Sequence, residues 1–341
     1  MELLKKAFFE NVDTVVATKS EVAYLKESVL LFSSGKKIAA PPKPYITVEA
    51  GDNNKVYVKS NSKLFRLTGD SFESVCDENS EFFLIVDEER HIRISPEGHE
   101  GTDSLYHKDT LVWCVPEEKR MPIYRGNTLV TFPDFKHKTL HFREMDTFEI
   151  KKEISATEPF EFIRNSHHVF DDRVIFFQYQ KKRDTSKMQQ VIATCCDLDS
   201  GKILWETAFQ GSHRYILNDA DGNLYALFGR HEPGGETLYL NYLNPTTGQA
   251  KLEVVEKNTI VVSTPWLAQI YKNVMYISDI YTEGCVIWAF DLTTKKILTH
   301  FNLGLDKGTS LKTPVIRNDE MYVLDSTETL HVFDIVYCDG V

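Results

Sequence analysis

No run of eighteen apolar residues occurs in this 341-residue chain, so no segment reads as a membrane-spanning helix and no membrane association is expected. Helical periodicity is scarce too. Past the first dozen residues, no stretch holds apolar side chains at i, i+3, i+4 and i+7. Residues 1–12 are the one segment expected to be helical. Met1 to Asn11 (MELLKKAFFEN) has charges breaking up its apolar residues and no small-residue cleavage site, so no secretory leader is expected and the chain is assigned to the cytoplasm. The six cysteines (Cys76, Cys114, Cys195, Cys196, Cys285 and Cys338) form no CxxC pair and no metal-ligand spacing. Cys195, Cys196 and Cys285 lie inside apolar runs, where a free thiol packs as a small hydrophobe. Also absent are GxSxG, HExxH, a phosphate-cradling P-loop, GxGxxG before a helix and a complete calcium loop. The fragment Asp219 to Asn223 (DADGN) lacks the bidentate Glu of such a loop and reads as hairpin chemistry. No metal and no cofactor are expected.

What the chain does have is apolar mass. Hydrophobic residues make up 42% and aromatics 12%, enough for a large core, and the 21 Phe and 15 Tyr favour strands over helices. The formal net charge of −11 repels phosphate backbones, so nucleic acid is not an expected partner. A basic protein partner would suit that charge. The one dense basic run, Lys181, Lys182 and Arg183 with Lys187 nearby, falls between two strands and reads as a solvated hairpin tip.

An internal repeat organises the second half. Residues 191–205 (VIATCCDLDSGKILW), 238–252 (LYLNYLNPTTGQAKL) and 285–299 (CVIWAFDLTTKKILT) are each an apolar strand, a polar turn and a second strand. Their anchors, Asp197, Asn244 and Asp291, are spaced 47 residues apart both times. Asp or Asn closing a strand accepts hydrogen bonds from backbone amides further on and starts a tight turn. Gly201 and Gly248, four residues later, supply the positive φ that ends it. Lys295 holds that place in the third copy and must either accept the left-handed conformation or use another turn. Two further strands precede each anchor, and four short strands per 47 residues is one propeller blade. The fold expected is all-β: a single β-propeller domain over residues 1–341 with four-stranded blades. The period gives seven blades, and the count of third strands near residues 31, 66, 93, 142, 195, 242, 289 and 332 gives eight as the alternative. The last repeat lacks a fourth strand, and an N-terminal strand is expected to supply it, with Asp13–Thr18 assigned to that place.

The stretch Asp197-Leu198-Asp199-Ser200-Gly201-Lys202-Ile203-Leu204-Trp205 resembles the quinoprotein-like (PQQ-like) propeller repeat, in which a strand ends in Asp-x-x-Thr-Gly-x-x-x-Trp. Asn244 to Gly248 keeps the turn with Leu252 in place of the Trp, and Asp291 to Thr294 loses both Gly and Trp. The resemblance implies the propeller. The family's enzymes hold a calcium-bound quinone on the axis and repeat their docking tryptophan, whereas only Trp205 of the four tryptophans here stands in that position.

Inner-strand ends are where propeller ligands gather, which makes His213, Arg214, Thr264, Trp266 and Thr313 the candidate binding residues at the mouth of the channel. Adjacent side chains of an extended strand diverge, so Cys195 and Cys196 should point to opposite faces. His167-His168 with Asp171-Asp172 is expected to be a polar turn between two strands. Together these readings favour a monomeric, non-enzymatic scaffold that engages a protein partner through a propeller face, in one version neutralising a basic, toxin-like protein. The alternative is a channel-site enzyme or small-ligand binder, either a quinone-type oxidoreductase or a carbohydrate-active propeller with Trp266 and Trp288 as stacking platforms.

Overall fold

Short segments rich in Val, Ile, Phe and Tyr become strands throughout the computed structural model. It describes residues 1–18, 20–41, 45–50, 55–60, 63–76, 82–85, 90–94, 102–107, 110–116, 123–132, 138–180, 188–217, 221–232, 235–257, 267–279, 285–306 and 309–337. Among these no helix is long and apolar enough to cross a membrane.

The strands form eight four-stranded antiparallel sheets. First in the chain is β1 (Glu2–Phe9). Sheet one is β2 (Val12–Ala17), β3 (Val22–Lys26), β4 (Val29–Phe32) and β5 (Lys37–Ala39). Sheet two is β6 (Tyr45–Ala50), β7 (Val56–Ser60), β8 (Lys63–Thr68) and β9 (Ser71–Cys76). Sheet three is β10 (Phe82–Ile85), β11 (Arg90–Ile94), β12 (Thr102–His107) and β13 (Thr110–Pro116). Sheet four is β14 (Ile123–Arg125), β15 (Thr128–Thr131), β16 (Thr139–Glu144) and β17 (Ile150–Ser155). Sheet five is β18 (Phe160–Phe170), β19 (Arg173–Gln180), β20 (Gln190–Asp197) and β21 (Ile203–Gln210). Sheet six is β22 (Ile216–Leu217), β23 (Leu224–Glu232), β24 (Gly235–Leu243) and β25 (Ala250–Lys257). Sheet seven is β26 (Ala268–Tyr271), β27 (Val274–Asp279), β28 (Val286–Asp291) and β29 (Lys296–Asn302). Sheet eight is β30 (Val315–Arg317), β31 (Glu320–Leu324) and β32 (Leu330–Val336), completed by β1.

Eight such sheets among the described residues agree with the alternative count of eight. The period misled because the first-half repeats are shorter, and residue 93 belongs to the second strand of its sheet, β11, with β12 as the third. An N-terminal strand does complete sheet eight, but it is β1 and not Asp13–Thr18, which overlaps β2 in sheet one. Residues 1–12 are accordingly extended and not helical. A β-bulge at Lys6 shifts the register against β32 and inverts which side chains face which neighbour. Met1 and Leu3 pack with the core shared by sheets seven and eight, whereas Ala7 and Phe9 pack with the core between sheets eight and one. The inward positions Met1, Leu3, Ala7 and Phe9 keep a period of two, but Leu4 and Phe8 are apolar and exposed, and with Leu3 and Ala7 they give the i, i+4 spacings of a helical stripe.

Compactness divides the chain into two units, Met1–Ser80 with Val262–Val341 and Glu81–Val261. The first holds sheets seven, eight, one and two; the second holds sheets three to six. Within a unit, each core lies between neighbouring sheets. On β19, Val174 and Phe176 face sheet four while Ile175 and Phe177 face sheet six, so a strand covered on both faces reads as an unbroken apolar run.

Candidate functional site

The repeated turn positions the functional surface, and its chemistry is as the residues suggested. Asp197 Oδ1 accepts from Ser200 N at 2.8 Å and Ser200 Oγ at 2.5 Å, and these bonds hold the carboxyl below its usual range. Asn244 Oδ1 accepts from Thr246 N and Thr247 N at 3.0 and 2.9 Å, and Asp291 Oδ1 accepts from Thr293 N at 2.8 Å. The fourth residue on is left-handed in every copy: Gly201 (φ 64°), Gly248 (φ 75°) and Lys295 (φ 57°). Each donates its N–H to the carbonyl of its anchor at 2.8–2.9 Å. Lys295 thus accepts the left-handed conformation.

A fourth copy escaped sequence reading. Phe148 (φ 63°) donates its N–H to Glu144 O at 2.9 Å, in the same geometry. Phenylalanine gives no turn signal there, since a bulky side chain is an outlier at positive φ. Its ring lies 4.2 Å from the buried Arg143 guanidinium, its carbonyl accepts from Arg143 Nη1 at 2.9 Å, and it packs on the core between sheets three and four.

The first-to-second and third-to-fourth strand turns of an antiparallel meander lie at the same end of the sheet. A recurrent bond ties them together: Met145 N donates to Asn127 O, Leu198 N to Asp172 O, Leu292 N to Asn273 O and Ile335 N to Asp319 O, all at 2.7–2.9 Å. In the second unit this end is acidic. Asp146, Glu149, Asp171, Asp172, Asp199 and Asp221 are exposed there, and Lys202 is the one exposed cation among the described turn residues of that unit.

His167 and His168 are not part of that turn. They lie inside β18, paired with Phe176 and Ile175, and only Asp171-Asp172 turns the chain. The ladder breaks between Phe162 and His167, and Ser166 Oγ in the break donates to His213 O at 2.7 Å. Burial, reinforced by His167 next to it, lowers the His168 pKa to about 4, and burial lowers that of His167 as well. Around them Phe177 stacks on Tyr215 at 5.1 Å and Tyr179 on His213 at 6.4 Å. This junction of sheets five and six is closely packed.

Of the channel-mouth candidates, His213 is half-buried and Arg214 exposed, side by side in the segment leading to β22. Thr313 is half-buried before β30 in the other unit, beside Lys312, whose carbonyl accepts from Ser278 Oγ at 2.9 Å. Thr264 and Trp266 lie outside the described residues, as do Asp219, Ala220 and the basic run at 181–187. Trp288 is buried in β28 with its ring 5.3 Å from His300, a packing role. Cys195 and Cys196 do point to opposite faces, but both are fully buried: Cys195 packs toward sheet six and Cys196 toward sheet four. Burial pushes their thiols up to about 11 and about 12, which makes them inert as nucleophiles. No group of three or more metal-ligating side chains is found among the described residues.

No family model matches the chain, and no curated protein matches it in sequence. Solved structures do. BamB from Moraxella catarrhalis matches with a TM-score of 0.59 at 13% identity, over 100% of both chains. The WD40 domain of SCAP from fission yeast matches with a TM-score of 0.53 at 10% identity, over 98% of this chain and 94% of that one. A europium-containing methanol dehydrogenase matches with a TM-score of 0.50 at 9% identity, over 94% and 84%. At these identities the likeness shows the fold alone. The chain is a β-propeller of the PQQ-like and WD-like type, a fold that carries an enzyme in one of these three neighbours.

Proposed function

We propose that this propeller is a non-enzymatic scaffold that engages a basic protein through the turn end of sheets four to six. The observation that carries this reading is the charge imbalance of those turns. Six exposed carboxylates, of which Asp146 is bridged by Arg90 at 3.1 Å, stand against a single exposed lysine in the turns, within a chain whose formal net charge is −11. Such a surface steers cationic proteins toward it and fixes their approach. In sheets four and five the two turns are tied to each other by the backbone bonds Met145 N to Asn127 O and Leu198 N to Asp172 O, which favours a preformed surface there.

Affinity capture at low ionic strength tests this, comparing the wild type with an Asp171→Lys/Asp172→Lys/Asp199→Lys variant. A stoichiometric basic protein should be retained by the wild type and lost by the variant. Raising the salt should also release it, because surface attraction is screened beyond about 10 Å at 0.1 M. Equal capture by both proteins, or no stoichiometric partner, would end this reading.

A further inference from the structure

The first-to-second-strand turns of sheets seven and eight, in the first unit, place Lys272 and Asp319 in direct contact. Lys272 Nζ donates to both oxygens of the Asp319 carboxylate, at 2.7 and 2.8 Å. The same ammonium lies 5.4 Å from the centroid of the Tyr271 ring and 5.1 Å from that of Tyr337, just past the end of β32. The surround is braced from behind. The Tyr271 hydroxyl accepts the backbone N–H of Asp319 at 3.1 Å, which ties one wall to the carboxylate. The Tyr276 hydroxyl is hydrogen-bonded to Tyr337 and lies 3.3 Å from Met1 Sδ, which supports the other wall.

Two aromatic rings and a carboxylate around one cation is the chemistry that recognises an alkylammonium group. Solvent reaches this one: the side chains of Lys272 and Asp319 are 52% and 42% exposed. An exposed ion pair holds weakly, so the lysine inside can be exchanged. Nor does the turn call for a lysine. Lys272 and Asn273 have φ of 47° and 59°, a two-residue hairpin geometry that Gly and Asn adopt with less strain. What a lysine adds at this strained position is its ammonium group.

We propose that Tyr271, Tyr337 and Asp319 form a recognition site for a lysine ammonium of a protein partner, and that Lys272 fills this site in cis until the partner displaces it. The occupant's identity rests on the basic-partner reading; the site itself does not.

Lys272→Gly relieves the backbone strain and empties the site. Nα-acetyl-lysine methylamide and tetramethylammonium are titrated into this variant while the ring protons of Tyr271 and Tyr337 are followed by NMR. Saturable shifts of both rings are expected, weaker by about tenfold or more in the wild type, where the internal lysine competes. The shifts should vanish in Lys272→Gly/Asp319→Asn. Should that double variant fail to fold, Lys272→Gly/Tyr337→Ala serves instead, since Tyr337 lies on the exposed segment after β32. Absence of saturable shifts in Lys272→Gly, or equal shifts without Asp319, overturns the site. The titration needs no partner, so its failure is distinguishable from failure of the capture experiment. A positive titration with no partner captured supports the ammonium site and overturns the protein occupant.

Discussion

At the scale of single residues, the left-handed position of the repeated turn is where sequence identity matters most. A Cβ on Gly248 would stand 2.7 Å from the Trp205 ring, whose Nε1 donates to Pro245 O at 3.0 Å, so the turn of sheet six is seated against the outer strand of sheet five. Gly248→Ala combines that overlap with a φ of 75° and should destabilise by about 2 kcal/mol or more, read from the midpoint of denaturant unfolding. Lys295 is the converse case. It bears the left-handed penalty without the benefit of glycine, so Lys295→Gly should stabilise by up to about 1 kcal/mol in the same measurement. Phe148 keeps the conformation because its ring and carbonyl both engage Arg143.

At the scale of elements, the outer strands share one device. Every fourth strand except the three-residue β5 carries a register shift against the third, at Lys6, Val75, Val112, Lys151, Leu204, Val255 and Leu298. A bulge twists and interrupts an open edge, which discourages pairing with another chain. In β1 the bulge also lets one strand serve two cores, and Phe9 stacks on Tyr24 at 5.3 Å. Deleting residues 1–9 should therefore destabilise the first unit and lower the melting temperature; an unchanged melt would contradict this role. In sheet five, β18 makes stability depend on pH. His168 titrates at about 4 in the folded protein and near the ordinary 6.5 when unfolded. Between those values the unfolded chain holds a proton that the folded one lacks, so stability falls as pH drops through that window, by at most roughly 3 kcal/mol. His167 acts in the same direction. Comparing urea midpoints at about pH 7.5 and about pH 5 should show this loss in the wild type and a smaller one in His168→Gln.

At the scale of the whole molecule, charge dominates. A formal charge of −11 repels itself, so moderate salt should raise the melting temperature slightly while weakening capture of a basic partner. Opposite responses of stability and binding in one salt series would separate the two effects. If binding were indifferent to salt, the electrostatic reading of the acidic turns would fail.

The amino-acid sequence by itself determined the all-β class, the four-stranded unit and the Asp197, Asn244 and Asp291 turns, because strands and Asx turns are local and carry their signature in residue type. It also settled that Cys195 and Cys196 diverge, a consequence of strand geometry alone. The role of Glu2–Phe9 was hidden, since the exposed apolar side chains of Leu4 and Phe8 fill the outward positions and blur the alternation by which a strand is read. Phe148 was hidden because its left-handed turn is upheld by Arg143 and not by its own propensity. His167 and His168 looked like a polar turn until tertiary packing drew them into β18 as half-buried groups with lowered pKa. Tyr271, Lys272, Asp319 and Tyr337 meet only because neighbouring sheets align their hairpin tips. That alignment depends on contacts between residues distant in sequence, which no local pattern encodes.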